Sequence, residues 1–73
     1  MKLTFDEIET AITSIVGGNY IPDSLNVEDR KVTFAYNTRN GVKDRFVILY
    51  PYGCKAPGHP KQSELVELSK QIW

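Results

Sequence analysis

The sequence predicts an α+β fold: an N-terminal helix, an antiparallel β-hairpin beside which a third, short strand can form, and a C-terminal helix. Three observations carry that expectation. Apolar residues recur at helical spacing near both ends, β-type residues fill the middle, and Asn40-Gly41 stands at the centre of that middle stretch, the preferred pair for a two-residue hairpin loop. Seventy-three residues make one small globular domain, 1-73. A domain of this size buries only about 60% of its unfolded surface, which favours recognition on an extended surface over a deep catalytic cleft.

Thr4 followed by Glu7 forms a capping-box pattern, and Phe5, Ile8, Ile12, Ile15 and Val16 follow it at helical spacing. Gly17-Gly18 ends the helix, because glycine takes the cap conformation at no steric cost. Tyr20-Ile21-Pro22 and Leu25-Asn26-Val27 supply material for a short edge strand, with Pro22 confined to its start.

Residues 31–37 and 42–50 flank Asn40-Gly41, and the turn fixes their register. Pairs 36/45, 34/47 and 32/49 share one face; pairs 37/44, 35/46, 33/48 and 31/50 share the other. The first set holds Val32, Phe34, Tyr36, Val47 and Leu49, and the second holds Ala35, Phe46, Ile48 and Tyr50 beside Thr33 and Lys31. The later strand is therefore apolar on both sides, as a doubly covered strand is. The first helix can cover one face, and the other requires the final helix or a partner. After Pro51, the stretch Tyr52 to Pro60 is dense in Gly and Pro and reads as loop. Leu65, Leu68 and Ile72 then form a helical stripe with Val66 and Trp73 beside it.

Charge is unevenly spread along a neutral chain. Residues 1–29 set Lys2 against Asp6, Glu7, Glu9, Asp23, Glu28 and Asp29, a balance of −5; residues 30–61 set Arg30, Lys31, Arg39, Lys43, Arg45, Lys55 and Lys61 against Asp44, a balance of +6. Such asymmetry bears on steering and partner choice rather than on fold. The basic hairpin group of Arg39, Lys43 and Arg45, with Tyr36 as cross-strand neighbour and Lys55 in the loop beyond, is the candidate contact for nucleic acid or another partner. Charge suits a phosphate backbone, and the rings of Tyr36, Tyr50 and Tyr52 suit unstacked bases. The competing reading is that lysine and arginine at a hairpin end guard against edge aggregation. Asp6, Glu7 and Glu9 in the first helix are the candidate acidic docking face, against a dipole-stabilising role in which each contributes about 0.3–1 kcal/mol. Glu28-Asp29 beside Arg30-Lys31 reads as a charged turn.

Cys54 and His59 share one loop. A thiolate nucleophile needs its pKa lowered by a neighbouring cation, and a zinc site needs further ligands at suitable spacing; the sequence provides neither signature, so no catalytic residue, metal or cofactor is assigned. A single cysteine forms no internal disulfide, and no signal-peptide pattern or long apolar run is present. The expectation is a cytoplasmic monomer that folds alone, and a chain starting at Met1 with no tag or linker reads as a complete gene product.

Two resemblances bear on function. The pattern Arg30-x-Val32-x-Phe34-x-Tyr36, then Asn40-Gly41, Arg45, Pro51-Tyr52 and Gly58, resembles the opening hairpin of WYL-type domains over residues 30-58. Those Sm-like modules of bacterial regulators imply nucleotide or nucleic-acid sensing through basic residues. In type rather than motif, a short, neutral, cysteine-poor α+β chain with charge of opposite sign on its two parts resembles the small phage-encoded proteins that bind host RNA polymerase and act as transcription inhibitors or antiterminators. The leading expectation is a non-enzymatic protein of that phage type. It would act in the host cytoplasm on a protein partner, bacterial RNA polymerase, altering initiation or termination, with nucleic acid as a secondary contact. A WYL-like nucleic-acid or nucleotide binder is the alternative, and a Cys54-based enzyme a distant third.

Overall fold

Thr4 opens the first helix, α1 (Phe5–Val16), through a complete capping box: its hydroxyl accepts from the Glu7 backbone N–H at 3.2 Å, and its own N–H donates to Glu7 Oε1 at 2.9 Å. Two otherwise unpartnered donors at the helix end are satisfied in this way. Gly17 closes the helix at φ +74, a conformation that costs a residue with a Cβ. A 3₁₀ turn, Gly17–Asn19, follows. In this computed structural model the described residues are 2–37, 45–56 and 59–73.

Four strands form one antiparallel meander in chain order: β1 (Asn26–Glu28), β2 (Lys31–Tyr36), β3 (Arg45–Tyr50) and β4 (Gly53–Lys55). The β2–β3 register pairs Val32 with Leu49, Phe34 with Val47 and Tyr36 with Arg45, the pairing that Asn40-Gly41 implies; the turn itself lies outside the described residues. The third strand is present, formed by Asn26–Glu28. Asp29 and Arg30 make the charged turn into β2, and the Trp73 indole N–H donates to the Asp29 carbonyl at 2.8 Å. Beyond β1, the edge of β2 is occupied by the preceding segment. Ser24 Oγ accepts from the Ala35 N–H at 3.0 Å, Ile21 N–H donates to the Ala35 carbonyl, and Tyr20 bridges Tyr36.

One expectation is corrected here. Residues 52–60 are not loop throughout, because Gly53–Lys55 pairs with β3 as the fourth strand. The Gly-Pro density hid an alternation in which Cys54 pairs opposite core Leu49 and Ala56 is buried, while Lys55 lies on the opposite face. Gly53 at φ +153 follows the two-residue Pro51-Tyr52 turn, in a conformation rarely open to other residues.

The second helix, α2 (Gln62–Ile72), carries Leu65, Leu68 and Ile72 inward, and Ser69 is buried with them, its hydroxyl donating to the Val66 carbonyl at 2.6 Å. Both helices pack on the same face of the sheet. Ile8 and Ile12 from α1 and the α2 stripe form one cluster with Val32, Phe34, Tyr36, Val47 and Leu49. Phe5, placed in the apolar stripe by its spacing, is 48% exposed.

Phe34 and Ile12 are fully buried at the helix–sheet contact, so Phe34→Ala and Ile12→Ala are each expected to cost about 2–5 kcal/mol. Urea unfolding measures this; small shifts in both variants would mean that helix-on-sheet packing is not what holds the domain.

Candidate functional site

Placing both helices on one side leaves the other face of the sheet bare. Strand pleating puts Asn26 and Glu28 of β1, Lys31, Thr33 and Ala35 of β2, Phe46, Ile48 and Tyr50 of β3, and Lys55 of β4 on that face, where Ala35 is buried and Ile48 and Tyr50 are half-buried. Phe46 is 58% exposed and Tyr52 80% exposed. The Tyr52 ring stacks on Tyr50 with centroids 5.1 Å apart and planes within 5°. Large exposed apolar residues scattered singly need no explanation, but a contiguous set on one sheet face marks an interaction surface.

The fold also converts charge order along the chain into charge by layer. The helices carry Asp6, Glu7, Glu9, Glu64 and Glu67 against Lys70, a balance of −4, while the bare face of the described strands carries Lys31 and Lys55 against Glu28, a balance of +1. Glu28 is tied to Lys31 at 3.5 Å.

The basic group expected at the hairpin is divided by this geometry. Lys55 is exposed on the bare face, beside Ile48 in register. Arg45 is exposed at the start of β3, but its partner Tyr36 is on the helix-covered face and only 7% exposed, with its ring edge-on to His59 at 4.8 Å. Tyr36 is therefore a core residue, out of reach of a partner. Arg39 and Lys43 lie outside the described residues. Sequence reasoning passed over Phe46 as a contact, although its alternation with Val47 was the signal for it.

The acidic group is likewise part structural. Glu7 is held in the capping box, and accepting from Thr4 keeps its carboxyl below the usual range. Glu9 accepts from the Tyr20 hydroxyl at 2.8 Å. Burial and that carboxylate push the tyrosine up to about 12, so it stays a donor. Asp6 alone of the three is exposed with no side-chain hydrogen bond found among the described residues. A shallow groove between the helices, floored by Ala11, Ile15 and Leu68, is rimmed by Glu64 and Glu67.

Cys54 is half-buried and burial pushes its thiol up, away from the thiolate form that nucleophilic attack needs. His59 serves the fold, its Nδ1 accepting from the Lys61 N–H at 3.1 Å where α2 begins. No Cys54–His59 hydrogen bond and no metal-competent cluster is found among the described residues. Val32, Phe34 and Tyr36, the alternating part of the WYL-type pattern, are all core residues, so packing alone accounts for their spacing.

Protonation of His59 removes the acceptor at Nδ1, and burial, with Lys61 nearby, lowers its pKa in the folded chain. Between that value and 6.5 the unfolded chain binds more protons, so this stabilisation is complete above about pH 6.5 and is lost as pH falls. Melting temperature is expected to drop from pH 7 to pH 5, and His59→Asn flattens that step. A second loss, below about pH 4.5 where the Glu7 carboxylate protonates, is expected to disappear in Glu7→Gln. Melts across pH for both variants separate the two groups.

No family model matches the chain, and neither a curated protein nor a solved structure matches it; the functional reading rests on the residues of this surface.

Proposed function

We propose that this chain is a non-catalytic interaction protein that docks through the bare face of its sheet, with bacterial transcription machinery as its partner class and initiation or termination as the step it alters. The observation that supports a binding role is the exposed pair Phe46 and Tyr52 with the half-buried Ile48 and Tyr50, held on a sheet whose opposite side is filled by both helices. Choice of the polymerase is carried by likeness of type alone: chain length, neutrality and separated charge. The layered charge suits such an assembly, since the sheet side favours a negative neighbour and the helix side a positive one.

Purified bacterial RNA polymerase core, stripped of nucleic acid, is the test ligand. Immobilised core is expected to capture the wild-type chain. A Phe46→Ser/Tyr52→Ser double variant is expected to lose at least tenfold in affinity with its melting temperature retained, both side chains being exposed. Raising salt weakens the complex only moderately if apolar contact dominates. Failure of the wild type to bind refutes the partner class; binding that is indifferent to the double variant refutes the face. Cys54→Ser is expected to leave folding and capture unchanged, and loss of capture in that variant would return the thiol to the mechanism.

The nucleic-acid alternative has its own supporting observation: the stacked Tyr50–Tyr52 pair ends in a ring face open to solvent.

A further inference from the structure

We infer that the bare sheet face takes single-stranded nucleic acid, with Tyr52 and Phe46 as platforms for unstacked bases and Lys55 as a phosphate contact. The inference rests on the reading of this face as the binding surface, and it assigns single-stranded nucleic acid, in place of the polymerase protein, as the direct contact of Phe46 and Tyr52.

Ring geometry is the first support. Tyr50 covers one side of the Tyr52 ring in a near-parallel stack, and 80% exposure leaves the other side open. Any base can extend such a stack, because every base presents a π-face. Phe46, 58% exposed, stands four residues from Tyr50 on the same face of β3, roughly 13 Å away at about 3.3 Å per residue. The Phe46 platform on β3 and the Tyr52 platform in the β3–β4 turn, stacked on Tyr50, thus stand on either side of the half-buried Ile48. Open sheets use aromatic faces in this way for bases splayed out of a strand.

Charge is the second. Lys55 stands beside Ile48 in register, between the two platforms, and Lys31 lies on the same face. Glu28, on the same face in register with Lys31, pairs with it at 3.5 Å, so among the described residues Lys55 is the unpaired cation of this face. The helical layer, at −4, repels a polyanion and orients its approach toward the sheet. Duplex is excluded, since its bases are already stacked and offer no free face.

With one or two phosphates neutralised, binding depends on stacking, and log affinity is expected to fall with log salt at a slope of only about −0.7 to −1.4. Such a face is weak on free strands and gains when a larger assembly holds the strand nearby.

Nuclear magnetic resonance titration of the labelled chain with single-stranded RNA and DNA octamers, and with an eight-base-pair duplex, tests this. Expected are shifts at Phe46, Ile48, Tyr50, Tyr52 and Lys55 with either single strand, absent from the outer faces of α1 and α2, and much weaker with duplex. Tyr52→Ala and Phe46→Ala are each expected to weaken binding about tenfold without moving the melting temperature, whereas Tyr52→Phe retains it because the ring remains. Three results overturn the inference: no shifts at millimolar strand, equal binding of duplex, or shifts at this face that follow protein concentration alone and vanish in Phe46→Ala, the mark of self-association. If octamers fail while nucleic-acid-free polymerase core is captured through Phe46 and Tyr52, the inference falls and the docking reading stands. Octamer binding without capture of the core does the opposite, supporting the inference and refuting the polymerase as partner.

Discussion

The rest of the structure depends on the register between β2 and β3. Because side chains alternate, a slip of one residue would carry Val32, Phe34, Val47 and Leu49 to the bare face and turn Thr33, Ala35, Phe46 and Ile48 toward the helices. The helices could not then find Phe34, and the Tyr20 ring, which packs edge-on to Phe34 at 5.9 Å, would lose its anchor. Neighbouring elements reinforce that register. Ser24 clasps Ala35 from the open edge, and Cys54 aligns with Leu49 from the other side.

A second constraint follows from length. Two helices of twelve and eleven residues can cover one face of a four-stranded sheet, and in this fold both are committed to the same one. The apolar character of β3 on its second face therefore has no partner among the described residues. Phe46 and Tyr52 are both exposed, and their hydrophobic surface is a standing cost in water. The same arrangement gathers acid on the helical layer and base on the strands, so an asymmetry along the chain becomes an asymmetry across the molecule.

Much of the fold was legible because it rests on local rules. Thr4 and Glu7 specify the first helix start, Gly17 its end, and Asn40-Gly41 the strand register. Harder to read was β4: a strand of three residues containing Gly53 offers little periodicity, and it forms because β3 presents an edge, which is a tertiary fact. The site was less legible for a related reason. Alternation showed that β3 has two apolar faces, but which face the helices choose depends on how α2 returns across the sheet, with Trp73 at its end tied to the β1–β2 turn. Tyr36 and Phe46 differ little in residue type, and packing alone makes one core and the other surface.

Polar side chains in so small a domain are largely occupied with closing it. Glu7 completes a helix cap, Glu9 holds Tyr20, Ser24 secures the edge of β2, and His59 receives the chain at the entry to α2. This explains why charge clusters read along the chain overstate the surface open to a partner: a carboxylate that is already accepting from a backbone N–H cannot turn outward without loosening the helix it starts. Subtracting the engaged groups leaves Asp6 with the groove-rim residue Glu64 on the helical side, and Phe46, Tyr52 and Lys55 on the sheet side. The second group lies along one side of the sheet, is carried on hydrogen-bonded strands and their tight turn, and combines ring surface with positive charge, whereas the first offers charge alone. Recognition that needs both contact area and orientation is better served by the sheet.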